Sequence, residues 1–581
     1  MSREVSGARL RTRYGWRLLA AAAALGAVLL LYDDYGVSWD EPAHSRYGEL
    51  ALDYFASGGH DRSANEYYNL KYYGPLVDMV AAAAYRSRPE HKYETRHLVL
   101  GLLALLILPG LILYTRRFGE PLLPAFALLA LVMFPRFVGH VFHNSKDIPF
   151  ATAVTWFMAA TTAIFAHRTP PWGRVAGAGL ALGVALSVRP GAFPLLALFF
   201  LGIATLSRIL GPTGEERPSL GLRLRRDSVL LLGWIVMLLA WPWAHGSPIL
   251  APLRAMRLSL LFPETYPVLF DGQIVPSNEL PAYYLAKYLL ITTPPTLLLL
   301  AGIGLAASIG YLLRQRRSAK ARLSAITLMW LGLPVALFYA RQPPAYDGLR
   351  HFLFLLPPLA VLAALGAIRL RDGVRRGLGR VAGWGVTGLL LLLPLREMVR
   401  LHPYEMTYFN ASVGGLPGAA GRYETDYWVL SYREAVRWIN ERVAAYPDRS
   451  FRVLASGSQF VKEVAAYEAA ANLEIYTRSE LWDRGIPKTD MDFYIGTTRF
   501  RNDEDLAQAP IVHSIGREGT TFTVIRQLRS VSGQVAHPAS GAAVDEGYEP
   551  PVSGDSLPAG SFHSRTMESA ATSGQLQPRR R

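Results

Sequence analysis

No cysteine occurs in the 581 residues, which excludes a disulfide, a thiolate nucleophile and any Cys-ligated metal while leaving the compartment open. Also missing are a Walker or dinucleotide-binding glycine pattern and a solenoid-like repeat, so neither a nucleotide cradle nor a repeat scaffold organises the chain. The Arg-bearing N-terminus is not followed by a small-residue cleavage site, and Trp16 to Tyr32 therefore reads as a retained anchor rather than a signal peptide.

What is present is apolar. Hydrophobic residues make up 51% of the chain and come in uninterrupted blocks. A helix needs roughly 17 to 25 residues to cross a bilayer. By that measure about eleven spans are expected, at 16–32, 97–114, 121–138, 147–166, 173–188, 191–208, 228–244, 291–313, 323–340, 351–369 and 380–395. The fifth and sixth are separated only by Arg189-Pro190-Gly191, a helix-breaking sequence that either kinks one long element or makes a re-entrant turn. The net charge of +15 sits largely on Arg clusters between these blocks, a pattern that reports topology rather than a nucleic-acid-binding patch. If residues 1–15, with Arg9, Arg11 and Arg13, are a cytoplasmic basic N-terminus, every second loop is basic, as the positive-inside rule requires. The outer face then receives loop 33–96, Pro135 to Asp147, His245 to Leu290, Arg341 to Arg350, and everything after about residue 396.

Within loop 33–96, Leu76 to Tyr85 is too short to span and reads as an interfacial helix, with Tyr67, Tyr68, Tyr72 and Tyr73 at headgroup level. After the last span the composition changes. Ser431-Tyr-Arg-Glu434 reads as a capping box opening an amphipathic helix. Strands are expected at Phe451–Ala455, Phe493–Gly496 and Ile511–Ile515, the last pairing with Thr521–Ile525 across Arg517-Glu-Gly519. The expected fold is thus a polytopic α-helical membrane protein, with a membrane domain over 16–395, a small extracytoplasmic α/β domain over 396–529, and a disordered tail over 530–581.

Four polar constellations fall on the predicted outer face. Asp33-Asp34 and Asp40-Glu41, followed by His44, read as a general base, as ligands of a hard divalent cation, or as solvated acids. His140-Val-Phe-His-Asn-Ser-Lys-Asp147 ends where a span begins, so Asp147 reads as an N-cap with substrate contacts around it. Metal ligation by His140 and His143 is the alternative, although no second His pair shares a metal spacing. Arg341-Gln-Pro-Pro-Ala-Tyr-Asp-Gly-Leu-Arg-His351 places guanidinium groups at the lip of a span, which suits a lipid-borne phosphate or ordinary snorkelling. Lys146 and Arg189 are candidates for the same pocket. His402 to Asn410, continuing to Tyr423-Glu-Thr-Asp-Tyr-Trp428, either lines a sugar or acceptor site or packs the outer domain on the membrane domain.

The Trp39-Asp-Glu-Pro-Ala-His44 loop, the Asn144-Ser-Lys-Asp147 entry to a later span and the outer C-terminal domain resemble the glycosyltransferase C superfamily over roughly residues 16 to 430. Within it they are most similar to the protein O-mannosyltransferase (glycosyltransferase family 39) and lipid A aminoarabinose or galacturonic acid transferase group. The resemblance implies a multi-pass cell-membrane enzyme that moves a hexosyl or pentosyl group from a polyprenyl-phosphate donor. The acceptor hydroxyl would belong to a lipid, glycan or protein on the extracytoplasmic side. In relatives the first-loop aspartate is the catalytic carboxylate, which here falls on Asp40, with Glu41 beside it. The expected reaction is one inverting displacement, with Asp40 as base and Arg341, Arg350, Lys146 and His351 around the departing phosphate. His44, His143, Asn144, Asp147, Arg189 and Tyr346 complete the expected substrate site. No metal or other cofactor is required, because the leaving group is already good; a divalent cation among Asp40, Glu41, His143 and Asp147 is compatible with the set. The rival readings are a transporter or flippase of a lipid-linked or small polar substrate, and a non-catalytic envelope assembly protein. Polar groups gathered at the outer ends of spans, without an internal repeat, argue against transport.

Overall fold

The computed structural model describes residues 19–211, 219–260 and 265–529. The basic N-terminus and the 530–581 tail lie outside the described residues. Each of the eleven apolar ranges contains a helix. Among the described residues six helices are long and apolar enough to cross a membrane: Pro89–Phe118, Asp147–Phe165, Pro190–Ile209, Pro295–Arg314, Ala319–Arg341 and Arg350–Leu401. Leu19–Leu31, Leu76–Tyr85, Leu123–Val132 and Trp172–Leu186 are shorter apolar helices. The chain is a multi-pass helical membrane protein.

Local chemistry explains where these helices break. Trp172–Leu186 and Phe193–Ile209 are separate helices, divided by the short turn Pro190–Ala192, because Pro190 lacks the amide needed to continue the ladder. The expected ranges 351–369 and 380–395 run into a single element interrupted at Gly379, whose φ of 88° suits glycine. Pro295–Arg314 packs on Leu356–Leu392 where Gly304 meets the carbonyl of Leu362 and Gly366 meets that of Leu300. Small residues allow this approach, and dispersion between the backbones replaces the hydrophobic force that lipid cannot supply.

The loop over 33–96 is folded. Helix Glu41–Ala56 packs on helix Leu76–Tyr85, with Gly48 set against the Asp78 carbonyl. The latter helix forms as expected, but it turns Asp78 inward rather than lying as a plain interfacial element. Between the span candidates at 228–244 and 291–313, a small unexpected hairpin pairs β1 (Pro267–Phe270) with β2 (Gln273–Pro276).

The C-terminal region contains β3 (Phe451–Ala455), β4 (Leu473–Tyr476), β5 (Phe493–Thr497), β6 (Ile511–Arg517) and β7 (Thr520–Gln527). They form a sheet of order β4-β3-β5-β7-β6, parallel on the β4-β3-β5 side and antiparallel beyond. Helices Tyr432–Val443 and Gln459–Glu468 cover it through Val436, Ile439, Val461 and Val464. The expected β6–β7 hairpin forms across Arg517 to Gly519. The capping box at Ser431 does not. Ser431 Oγ donates to Asp426 Oδ2 at 2.6 Å, and Glu434 accepts from Arg517 Nη2 at 2.7 Å and Tyr404 Oη at 2.9 Å. Tertiary partners outcompete the local cap, and a capping box appears instead at Thr477 and Glu480.

Candidate active site

Asp40 stands at the N-terminus of helix Glu41–Ala56, yet its side chain makes no cap bond. The turn is held by its neighbours. Glu41 accepts the Ser38 amide at 2.7 Å and His97 Nε2 at 3.0 Å, and Arg96 Nε lies 3.6 Å away. His44 Nδ1 bonds Asp78 Oδ2 at 2.8 Å, and Arg96 Nη2 donates to Asp78 Oδ1 at 2.7 Å. This buried network leaves the Asp40 carboxylate as the acid of the pair that faces outward.

Arg350 Nη1 donates to Asp40 Oδ2 at 3.0 Å, the arginine side chain being 9% exposed and the aspartate 39%. Burial raises the Asp40 carboxyl, but Arg350, His44 and Lys146 outweigh that effect and hold it below the usual carboxylate range. Arg350 is sandwiched between the rings of Tyr346 and Trp428, 4.9 and 5.1 Å away, and its Nε donates toward His351 Nε2 at 3.3 Å. Behind it, Asp347 lies 3.3 Å from Arg350 Nε and accepts from Arg499 Nη2 at 2.9 Å. Burial first, and then Asp347, push Glu424 up to about 8 against the pull of Arg499.

The third element is the loop before helix Asp147–Phe165. Asn144 Oδ1 accepts the Lys146 and Asp147 amides, and its Nδ2 donates to Asp147 Oδ2 at 2.9 Å. Asp147 also pairs with Arg189, delivered by the Pro190 break. Asn144, rather than Asp147, thus caps the helix entry. Lys146 Nζ sits 3.8 Å over the Tyr73 ring, with no carboxylate ion pair among the described residues. Burial, reinforced by Arg189 and Arg350 and opposed by Asp78 and Asp40, lowers it to about 7. An incoming anion would favour the protonated form of Lys146, which has no carboxylate partner among the described residues.

The structure therefore brings together Asp40, His44, Lys146, Asp147, Arg189, Tyr346, Arg350 and His351 from separate elements. Glu41 and Asn144 support them from behind. His143 is buried edge-on to Trp428 at 4.9 Å, with neither ring nitrogen bonded among the described residues. Arg341 is exposed at the end of helix Ala319–Arg341 and makes no ion pair among the described residues, so the structure does not join it to this cluster. Asn410, in the sequon-like Asn410-Ala-Ser412, is buried and donates to the Leu290 and Thr293 carbonyls.

Asp347 and Glu424 lie within constellations read in the sequence but received no individual role there, and Arg499 received none. The Asp347-Gly348 dipeptide is a turn signal, and both residues adopt left-handed backbone, φ 56° and 65°. Arg499 carries no signal, because a lone arginine in a loop has no pattern to read. Non-glycine left-handed residues recur around the cluster at Asp347, Val429, Phe500 and Arg501, in keeping with backbone strain concentrating at functional sites. Among the described residues Asp40, Glu41 and Asp147 are each engaged by cations, and His143 is packed on Trp428.

No family model and no curated protein matches the chain. Among solved structures it is similar to the oligosaccharyltransferase of Archaeoglobus fulgidus in the apo form, at 12% identity and TM-score 0.48, over 83% of this chain and 70% of that one. It is also similar to ArnT from Cupriavidus metallidurans bound to undecaprenyl phosphate, at 16% identity and TM-score 0.46, over 91% and 100% of the two chains. A third similarity is to the arabinofuranosyltransferase AftD from mycobacteria, at 15% identity and TM-score 0.43, over 88% and 41%.

Proposed function

We propose that this protein is an integral-membrane glycosyltransferase that moves a hexosyl or pentosyl group from a polyprenyl-phosphate donor to an acceptor hydroxyl on the extracytoplasmic side, with Asp40 as general base. The observation that carries this reading is the Asp40–Arg350 pair, at the mouth of the apolar element Arg350–Leu401 and beside the unpaired Lys146. A carboxylate open on one side, flanked by cations at the end of a membrane helix, suits a sugar whose phosphate is held and whose lipid tail lies in the bilayer. The alternation of basic loops supports the outward orientation. A lipid, glycan or protein supplies the acceptor hydroxyl.

In this reading the donor phosphate settles on Lys146 and draws Arg350 from Asp40. Losing its guanidinium partner strengthens Asp40 as a base at the moment the donor is in place. The acceptor oxygen attacks the anomeric carbon as its proton passes to Asp40. The sugar–phosphate bond breaks with its electron pair on the phosphate oxygen, stabilised by Lys146 and Arg350. Configuration inverts. Asp147, fixed by Asn144 and Arg189, orients donor or acceptor hydroxyls, while Glu41 positions the loop that carries Asp40. No step needs a metal.

The test is Asp40→Asn, assayed with a radiolabelled polyprenyl-phosphate sugar in proteoliposomes. Transfer should fall by about 10² to 10⁴-fold, the range of general-base catalysis, while donor binding persists. Substantial turnover by a well-folded variant would remove Asp40 from this role. Sugar crossing the vesicle without any acceptor becoming glycosylated would favour a transporter.

A further inference from the structure

The C-terminal domain reaches the candidate site through Arg499 as well as through Trp428. Arg499 follows β5, donates to Asp347 Oδ1 at 2.9 Å and to the Tyr427 carbonyl, and stacks 4.3 Å from the Trp39 ring, next to Asp40. Asp347 is 1% exposed and faces both Arg499 and Arg350, whose Nε is 3.3 Å away; Arg350 in turn holds Asp40 at 3.0 Å. Charges alternate along this line: Arg499, Asp347, Arg350, Asp40. An arginine shared between two carboxylates divides its interaction according to how well each carboxylate is otherwise neutralised.

We infer that Arg499 of the C-terminal domain is a positioning residue for the candidate site: by neutralising Asp347 it keeps Arg350 available to Asp40 and to an incoming phosphate. The inference rests on the glycosyltransferase reading for its functional meaning, but the coupling itself exists whatever the substrate. Removing Arg499 leaves a buried, under-compensated Asp347 that draws Arg350 toward itself, and Asp40 loses its nearest cation. The charged and titratable groups facing Asp40 are Arg350, His44, Lys146 and Tyr346, so Arg350 is the member through which a distant change acts.

The experiment measures the protonation midpoint of Asp40 in the full chain in lipid nanodiscs. It uses infrared difference spectroscopy, with the band assigned by its loss in Asp40→Asn. Arg499→Gln should raise the midpoint by about one pH unit, equivalent to about 1.4 kcal/mol. Arg499→Lys, which keeps the charge without the fork, should give a smaller shift in the same direction, and it decides the matter if the glutamine variant does not fold. In an Arg350→Gln background the Arg499 substitution should leave the midpoint unmoved. An unchanged midpoint in both Arg499 variants, or an equal shift without Arg350, overturns the inference. Binding of undecaprenyl phosphate to the same samples is scored separately. Its absence from wild type would count against the glycosyltransferase reading while the titration still judges the role of Arg499.

Discussion

Asp40 and Glu41 are adjacent acids with opposite situations. Glu41 is engaged by Ser38, His97 and Arg96, whereas the Asp40 carboxylate, 39% exposed, has Arg350 as its one side-chain hydrogen-bond partner among the described residues. Chain proximity cannot separate two such neighbours; the direction each side chain takes does. Lys146 offers a pH test. Its ordinary value lies near 10.4 and burial lowers it to about 7, while a phosphate placed beside it raises it again, so binding takes up a proton. Affinity for undecaprenyl phosphate should therefore be greatest below about pH 7 and weaken above it, by at most about tenfold per pH unit. Titration calorimetry of wild type against Lys146→Met cancels the ligand's own ionisation, and the difference between them should shrink as pH rises. At this scale Asp40, Lys146, Asp147 and Arg350 were legible in the sequence, because polar residues at the edge of apolar blocks are conspicuous. Arg341 shared that signal but stands exposed, without an ion pair among the described residues, since snorkelling and ligand binding place arginines at the same depth.

Whole elements were more legible than their ends. Each apolar range holds a helix because a long hydrophobic run settles its own hydrogen bonding within one segment. β4, of four residues, and the β1–β2 hairpin escaped, since such short runs carry too little periodicity to distinguish them. Helix pairing rests on glycine contacts, and these give sharp expectations. A Cβ on Gly366 would lie 1.8 Å from the Leu300 carbonyl and one on Gly48 would lie 2.3 Å from the Asp78 carbonyl. Gly366→Val should lower the melting temperature in detergent, with a destabilisation of about 1 to 3 kcal/mol or more. Gly48→Ala should reduce transfer as well as stability, because the Asp78 network beneath it fixes the Asp40 turn.

At the scale of the molecule, charged side chains join the C-terminal sheet domain to the helical body beside the apolar contacts of Val37 and Tyr93. Arg433 reaches the Tyr35 carbonyl at 2.8 Å, Asp33 Oδ1 at 3.1 Å and Glu468 at 3.0 Å. His402 lies between Glu405 at 2.8 Å and Asp34 at 3.0 Å. Its hydrogen bond to Glu405, with the charges of Glu405 and Asp34, raises its pKa above the ordinary value. A histidine raised in the folded state contributes stability that is complete below about pH 6.5 and is lost as pH climbs through the raised value. Proteolysis of the outer domain should therefore accelerate over that rise, and His402→Gln should remove the pH dependence. By itself, the sequence determined a multi-pass helical body and most strands of the C-terminal sheet, and it singled out the acidic loop as a candidate. These follow from hydrophobic runs, alternation and turn residues, all of which act over short separations. Only the tertiary structure decided that Arg350 meets Asp40, that Glu434 pairs with Arg517, and that Arg499 completes the line of charges. Those contacts join residues as much as 310 positions apart, and local pattern holds no record of which buried charge will meet which.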